Sequence, residues 1–307
     1  MGGLFNQMVA YLFAGQGSQY VGMGKDLYDA FPRAREVFDN ADKALGLSLS
    51  KLCFEGPQEE LTKTNNSQPA ILTVSIAALK SGDFPQPAFT AGLSLGEYSA
   101  LVASGAIGFE DAVRLVRRRG EFMEEEARKR PGKMLSVIGL AAESVKQLCA
   151  ESGTEIANLN CPGQIVISGG VTEIEEAQAM AKAKGAKLAI PLEVSGAFHS
   201  SFMQGASDKL AAVLAYIEIK EPIIPVVSNV TAKPETSAQE IKENLVKQVA
   251  TSVLWEGSMR YILSQGVAEF YEFGPGKVLK GLMRRIDAGA QVKVIEKKED
   301  INSVGSM

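Results

Sequence analysis

Residues 91–100 read AGLSLGEYSA, and within them Gly92-Leu93-Ser94-Leu95-Gly96 has the spacing G-x-S-x-G. Strand formers precede the serine (PAFTAG, 87–92) and helix formers follow it (GEYSALVASGA, 96–106). A strand that turns into a helix through a serine flanked by glycines leaves few folds open. The glycines let the backbone pass close to its neighbours, and the serine sits on the turn at the end of a strand. Two readings stand for Ser94: an activated nucleophile, or a serine that caps the helix with its hydroxyl.

The flanking pattern favours an α/β fold with a mostly parallel sheet. MVAYLFAG (8–15) reads as a first strand, DLYDAFPRAREVFDNADKAL (26–45) as helical, and PAILTVSIAAL (69–79) as a buried helix. SGDFPQP (81–87) is the loop before the strand that leads to Ser94. From 132 to 196 the order changes. MLSVIGL, AAESVKQLCAESG, TEIANLNCP, GQIVISGG, VTEIEEAQAMAKAKG and AKLAIPLEVS predict strand, helix, strand, strand, helix, strand, the βαββαβ order of a ferredoxin-like unit. The expected division is therefore a large α/β domain of residues 1–131 and 197–307, with residues 132–196 inserted as a small domain. Beyond it, 199–219 predicts a helix, IIPVVSNVT (223–231) a strand and 239–265 helices. VAEFYEFGPGKVLKGLMRRI (267–286) predicts strand, turn and helix, and INSVGSM (301–307) a frayed end.

Bulk properties exclude several classes. The net charge of −4 argues against a general nucleic-acid binder, whose affinity rests on a basic surface. No apolar run reaches the roughly 18–20 residues of a membrane span, and the first fifteen residues lack the basic start of a signal peptide. Cys53, Cys149 and Cys161, odd in number and widely spaced, fit reduced thiols and not a zinc site. Local basic islands remain: Arg117-Arg118-Arg119, Lys129-Arg130, Lys277, Lys280 and Arg284-Arg285 are either solvated helix faces or points that meet phosphate or an acidic partner.

Among 307 residues there is one histidine, His199. A serine hydroxyl needs a base to become a nucleophile, so an imidazole partner for Ser94 must be His199. A lone histidine is also commonly structural. No acid is marked as its orienter; Glu193 and Asp208 lie near in sequence, and a backbone carbonyl is the alternative. GQGSQ (15–19) follows the first strand, but Tyr20 occupies the third glycine position of a dinucleotide fingerprint, and no Walker lysine pattern follows. Such a loop can instead aim backbone N–H groups at an oxyanion.

Seven blocks, FAGQGSQYVGMG, GLSLGEY, VRRRGEFM, ANLNCPGQIVISGG, VSGAFHSSFM, KQVATSVLWE and FGPGKVLKGL, occur in an order that resembles the malonyl-CoA:acyl-carrier-protein transacylases over roughly residues 8–297. The resemblance implies a hydrolase-like core carrying a ferredoxin-like insert. It implies an acyltransferase that moves malonyl from malonyl-CoA to the carrier's pantetheine thiol through an ester on Ser94, with His199 as base and no metal or other cofactor. It further implies an oxyanion hole from the N–H groups of Gln16 and Leu95, a His199-orienting carbonyl from Gln248, and a malonyl carboxylate held by Arg119. Met123 would line the pocket or fill core, and Phe198 would leave little room for an α-methyl branch. Asn160 would face the cleft or form a turn. Arg117 and Arg118 have no implied role and are expected at the surface.

The chain departs from the usual family form at Leu93, where histidine is usual, and at Ala14, where proline is common. The alternatives from the same chemistry are a serine thioesterase or hydrolase and a polyketide-type acyltransferase; the compact ends favour a freestanding protein. A monomer meeting an acidic carrier transiently is expected, without nucleic-acid or membrane partners. The expected compartment is a bacterial cytoplasm, or the plastid stroma suggested by the GLSLGEY variant.

Overall fold

The computed structural model describes residues 8–304. The reading of the chain's start thus falls partly, and that of its last three residues wholly, outside the described residues. The first strand, β1 (Val9–Phe13), is buried at all five positions and is followed by helices α1 (Lys25–Ala30) and α2 (Pro32–Leu45). The single helix expected over 26–45 is broken because Phe31 precedes Pro32; the ring forces Phe31 into extended backbone (φ −121°, ψ 116°) and starts a new helix at its first turn. Short helices α3 (Leu49–Glu55) and α4 (Gln58–Thr62) lead to α5 (Thr64–Lys80).

Helix α5 begins five residues before Pro69, where the sequence reading started it. Proline lacks the N–H that would bond the Asn65 carbonyl four residues earlier. Arg117 satisfies that carbonyl at 3.0 Å, also donates to the side chain of Asn66, and pairs with Glu121 at 3.1 Å. Arg117 is therefore a half-buried residue that repairs a proline-interrupted helix, not the surface residue expected, whereas Arg118 is exposed.

Next come β2 (Phe89–Gly92), α6 (Leu95–Ala103) and α7 (Phe109–Lys129). A second unit follows: β3 (Gly132–Ile138), α8 (Ala142–Ser152), β4 (Glu155–Cys161), β5 (Gln164–Gly170), α9 (Val171–Ala183) and β6 (Leu188–Pro191). The chain then runs through a 3-10 turn (Ser201–Met203), α10 (Gln204–Leu214), β7 (Val226–Val227), β8 (Pro234–Glu235), α11 (Ala238–Ala250) and α12 (Trp255–Ser264). It ends with β9 (Glu269–Phe273), α13 (Val278–Ile286), β10 (Gln291–Ile295) and α14 (Lys298–Val304).

Six strands form the larger sheet in the order β10-β9-β1-β2-β7-β8, parallel except for the β7–β8 edge. Strand β1 is central, and its side chains divide between two cores: Tyr11 and Phe13 face one, and Ala10 and Leu12 face the other beside Trp255 and Met259. Burial on both faces explains the unbroken apolar run VAYLF. The smaller sheet has the order β4-β5-β3-β6 with every neighbour antiparallel, the ferredoxin-like arrangement. Its helices cover Leu135, Val137, Ile165 and Ile167 on one face. Strand β4 also meets the larger unit, where the Leu159 N–H bonds the Val253 carbonyl and the Val253 N–H bonds that of Ala157.

Three further expectations are corrected. The strand expected over 223–231 is two residues long, since Pro222 and Pro225 cannot donate to a ladder and Ser228–Thr231 turns away. The helix expected from 199 starts at Gln204, because His199 takes a left-handed φ of 57° that no helix continues through. Residues 301–304, expected to fray, belong to α14, whose Ile301 is buried against Gly82 and Phe84.

Strand β1 and helix α6 approach so closely that a Cβ on Gly96 would lie 2.2 Å from the Phe13 carbonyl oxygen, while one on Gly281 in α13 would meet nothing within 4 Å. Gly96→Ala is expected to lower unfolding free energy by about 3 kcal/mol through overpacking against backbone. Gly281→Ala is expected to raise it by roughly 0.5–1 kcal/mol through helix propensity. Urea denaturation of both variants measures the contrast.

Candidate active site

The turn between β2 and α6 places Ser94 at the carboxyl end of the parallel sheet, where φ is 53° and ψ is −101°. A non-glycine residue adopts that conformation only under constraint. The constraint is visible on both sides: a Cβ on Gly92 would sit 1.9 Å from the carbonyl carbon of Gly96, so only glycines permit the turn. The Asn229 side chain clamps it from below, accepting from the Ser94 N–H (2.6 Å) and donating to the Gly92 carbonyl (2.7 Å).

Although Ser94 stands at the N-cap position of α6, its hydroxyl makes no capping bond. It lies instead 2.8 Å from His199 Nε2 and accepts from Arg119 Nη2 at 3.1 Å. The helix-cap reading of Ser94 is thereby corrected. His199 Nδ1 lies 2.8 Å from the Gln248 main-chain carbonyl. A carbonyl only accepts, so the proton is on Nδ1 and Nε2 is left to accept from the serine. Neither Glu193 nor Asp208 orients the ring. Burial, followed by the positive charge of Arg119, lowers the His199 pKa to about 4, which keeps the imidazole neutral and able to accept a proton at neutral pH.

Arg119 and Met123 are one turn apart on α7, and both point inward. The guanidinium is 1 % exposed. It donates to Gln68 Oε1 (2.9 Å), Gln248 Oε1 (3.0 Å) and Ser94 Oγ, lies over the Tyr98 ring at 5.4 Å, and leaves Nε unpartnered. No carboxylate among the described residues forms an ion pair with it. Burial pushes its pKa below the usual arginine value. A buried cation held only by neutral amides, a hydroxyl and a ring face costs on the order of several kcal/mol and is prepared to receive an anion.

A cleft of about 530 Å³ opens above these groups. Gln16, Ser94, Met123, Asn160, Phe198 and His199 all line it. Leu95 sits directly behind the serine as the first residue of α6, and its backbone N–H donates to no acceptor among the described residues; nor does that of Gln16. The loop bearing Gln16 abuts the nucleophile turn, since a Cβ on Gly15 would touch the Leu93 carbonyl oxygen at 2.5 Å. Asn160 is not the turn residue that the dipeptide Cys161-Pro162 suggested; it lies within β4, with Oδ1 buried and unpartnered.

The sequence reading missed three residues. Gln68 donates to Met123 Sδ at 3.4 Å and accepts from Arg119, Asn229 holds the serine turn, and Glu97 lies wholly buried beneath it. Only Glu97 carried a signal: three positions beyond Ser94, a charged residue falls among the small and apolar residues of a buried helix. All three cysteines are unpaired and buried, no cluster of three or more metal-ligating side chains occurs among the described residues, and no described helix is long and apolar enough to cross a membrane.

A serine, a neutral imidazole and two free N–H groups beside a cleft can transfer an acyl group. A family model described as an acyl transferase domain matches residues 10–286. The chain belongs to this acyltransferase family. The acyltransferase is 50% identical over 302 residues to the malonyl CoA-acyl carrier protein transacylase of Bacillus subtilis, with 95% of each chain covered. It is 46% identical over 284 residues to that of Escherichia coli K12, covering 90% of this chain and 92% of the relative. Among solved structures, a malonyl-transacylase in complex with a type II polyketide acyl-carrier protein superposes with a TM-score of 0.93 at 42% identity, covering 97% of this chain and 99% of that one.

The acyltransferase has a single imidazole, so its titration is unambiguous by NMR. Its C–H resonances are expected to stay in the neutral position from pH 8 to about 5 and to shift only near 4, the pKa that burial imposes. Because the unfolded histidine titrates near 6.5 and the folded one near 4, the unfolded state binds the extra proton between those values. His199 therefore subtracts stability as pH falls from about 6.5 to 4, and His199→Gln should flatten that part of the denaturation profile.

Proposed function

We propose that this acyltransferase moves malonyl from malonyl-CoA to the pantetheine thiol of an acyl carrier protein by a two-step exchange on Ser94. The observation that carries the reading is Arg119: a buried guanidinium without a carboxylate partner, touching the serine oxygen at 3.1 Å. An acyl group on Ser94 that ends in its own carboxylate, only one carbon beyond the reacting carbonyl, would bring that charge to the guanidinium. Two parallel N–H donors then suit a carboxylate and leave acetyl without the interaction.

In the first half-reaction His199 Nε2 takes the Ser94 proton while Oγ attacks the thioester carbonyl. The N–H groups of Leu95 and Gln16 receive the oxyanion. The tetrahedral centre collapses, the C–S bond breaks, and the imidazolium returns its proton to the departing thiolate. The second half-reaction runs in reverse with the carrier thiol: His199 accepts its proton, sulfur attacks the ester, and Ser94 leaves as the hydroxyl. One oxyanion site serves both steps, and every bond and proton is accounted for by the chain and its two substrates. The Gln248 carbonyl takes the place of a triad acid by fixing the tautomer.

Phe198 and Met123, both nearly fully buried at the cleft wall, favour an unbranched short acyl chain. Asn160, at the cleft wall, would meet a substrate that enters there. The exposed Lys277, Lys280 and Arg284 of α13 and its N-cap stand beside Val278 and Leu282 of the cleft, which suits a transient encounter between a monomer and an acidic carrier. Arg285 from the same island instead donates to Gln164 Oε1 and the Pro162 carbonyl. The bacterial relatives favour a bacterial cytoplasm over a plastid as the place of work.

Intact-protein mass after brief exposure to malonyl-CoA tests the reading, with acetyl-CoA as parallel donor. A malonyl adduct is expected on the wild type, discharged by carrier thiol and absent from Ser94→Ala. Arg119→Ala should load malonyl roughly 30-fold more slowly or worse, the consequence of about 2 kcal/mol or more for removing one member of a buried charge pair. Free malonate without an adduct would support a hydrolase instead.

A further inference from the structure

Glu97 is fully buried, touches neither the cleft nor Ser94 Oγ, and is not used by the acyl-transfer scheme. Its partners are informative. Oε2 accepts from Gln248 Nε2 at 2.5 Å and from the Asn229 main-chain N–H at 3.2 Å. Gln248 Nε2 also donates to the Ser94 carbonyl at 3.0 Å. A carboxylate and a carbonyl can only accept, so the amide of Gln248 must present its nitrogen to them and its oxygen to the other side. On that other side Oε1 accepts from Arg119 Nη2, the same nitrogen that reaches Ser94 Oγ.

We infer that Glu97 is a positioning residue for acyl selection, which acts through the side-chain amide of Gln248 to aim the Arg119 guanidinium at the acyl group on Ser94. The amide between them has an electrostatic purpose. A carboxylate bonded directly to Arg119 would neutralise it and compete with the substrate's carboxylate. Set one residue away, Glu97 steadies the cation through a dipole and leaves its remaining donors free.

The second carboxyl oxygen fits this arrangement. Glu97 Oε1 makes no hydrogen bond, and the nearby buried Glu235 is held by Asn244 Nδ2 at 3.0 Å. Burial raises both groups above the ordinary glutamate range, Glu97 to about 7, and the charge of Glu97 adds to the rise at Glu235. One acceptor oxygen at Oε2 is therefore the whole requirement, and an amide in place of the carboxylate supplies it.

The inference rests on the malonyl reading, and the wild type separates the two: loss of its malonyl adduct overturns the reading, whereas the variants below judge Glu97. Single-turnover loading of Ser94 is measured with malonyl-CoA and acetyl-CoA. Glu97→Leu is expected to reduce the malonyl-over-acetyl preference at least tenfold, mainly through slower malonyl loading. Glu97→Gln keeps an acceptor and should retain the preference within threefold. Gln248→Met keeps the main-chain carbonyl for His199 and removes only the amide. It should lose the same preference, and the double variant Glu97→Leu/Gln248→Met should lose no more than either alone.

If Glu97→Leu slows malonyl and acetyl equally, Glu97 is a structural residue and the inference fails. It fails also if Gln248→Met keeps full preference, or if the losses of the two single variants multiply in the double. Should Glu97→Leu not fold, the Gln248→Met result alone still separates the outcomes, because it removes the relay without emptying the buried carboxylate site.

Discussion

Strand β1 and helix α6 meet at backbone distance, and the active-site geometry follows from that approach. With Gly96 against the Phe13 carbonyl and Gly92 against Gly96, the chain between β2 and α6 has no room to enter the helix smoothly. Ser94 absorbs the difference in a left-handed φ, and its hydroxyl is carried away from the helix axis toward His199. The strain of order 1–3 kcal/mol at such a residue is held by the packing of the sheet and by the Asn229 clamp. The Leu95 N–H, the first of α6, has no acceptor among the described residues, whereas those of Gly96 and Glu97 bond the Leu93 and Ser94 carbonyls, so the serine and one N–H available to an oxyanion come from a single turn.

Electrostatics in the site depend on charges that are buried without direct partners. Arg119 lowers the basicity of His199, yet its nearest acceptors are amide and hydroxyl oxygens. Such a cation is poorly solvated by the protein alone, and an anionic acyl group would complete it. In the proposed scheme selectivity and catalysis would share one residue, because the guanidinium that would choose a carboxylate also donates to Ser94 Oγ.

The inserted sheet has a part in this that its ferredoxin-like order does not reveal. Ser168 on β5 donates to the Phe198 carbonyl at 2.6 Å, and Glu155 on β4 accepts from the N–H (3.0 Å) and hydroxyl (2.5 Å) of Ser201. These bonds grip the segment on both sides of His199. The serine is held by the larger sheet and the histidine loop in part by the smaller one, and the cleft runs between them with walls from both.

Much of this was legible in the residues themselves. Alternating strand and helix patterns marked the α/β core, the changed element order over 132–196 marked the βαββαβ unit, and a G-x-S-x-G turn with a single histidine named the serine and imidazole that the fold brings together, because local periodicity and turn chemistry are properties of short segments. What proved illegible depended on residues distant in sequence. Pro69 lies inside a helix because Arg117, 48 positions on, takes up the carbonyl that it frees. No side chain advertises the main-chain carbonyl that meets His199 Nδ1, so Gln248 is named for it through the family resemblance and not by any local pattern. Asn229 and Gln68 look like ordinary polar residues until folding places them against the serine turn and the guanidinium. The sequence by itself determined which elements form and which groups can react. Only the tertiary structure decided which polar atoms are shut away from water together, and so which of them must bond one another.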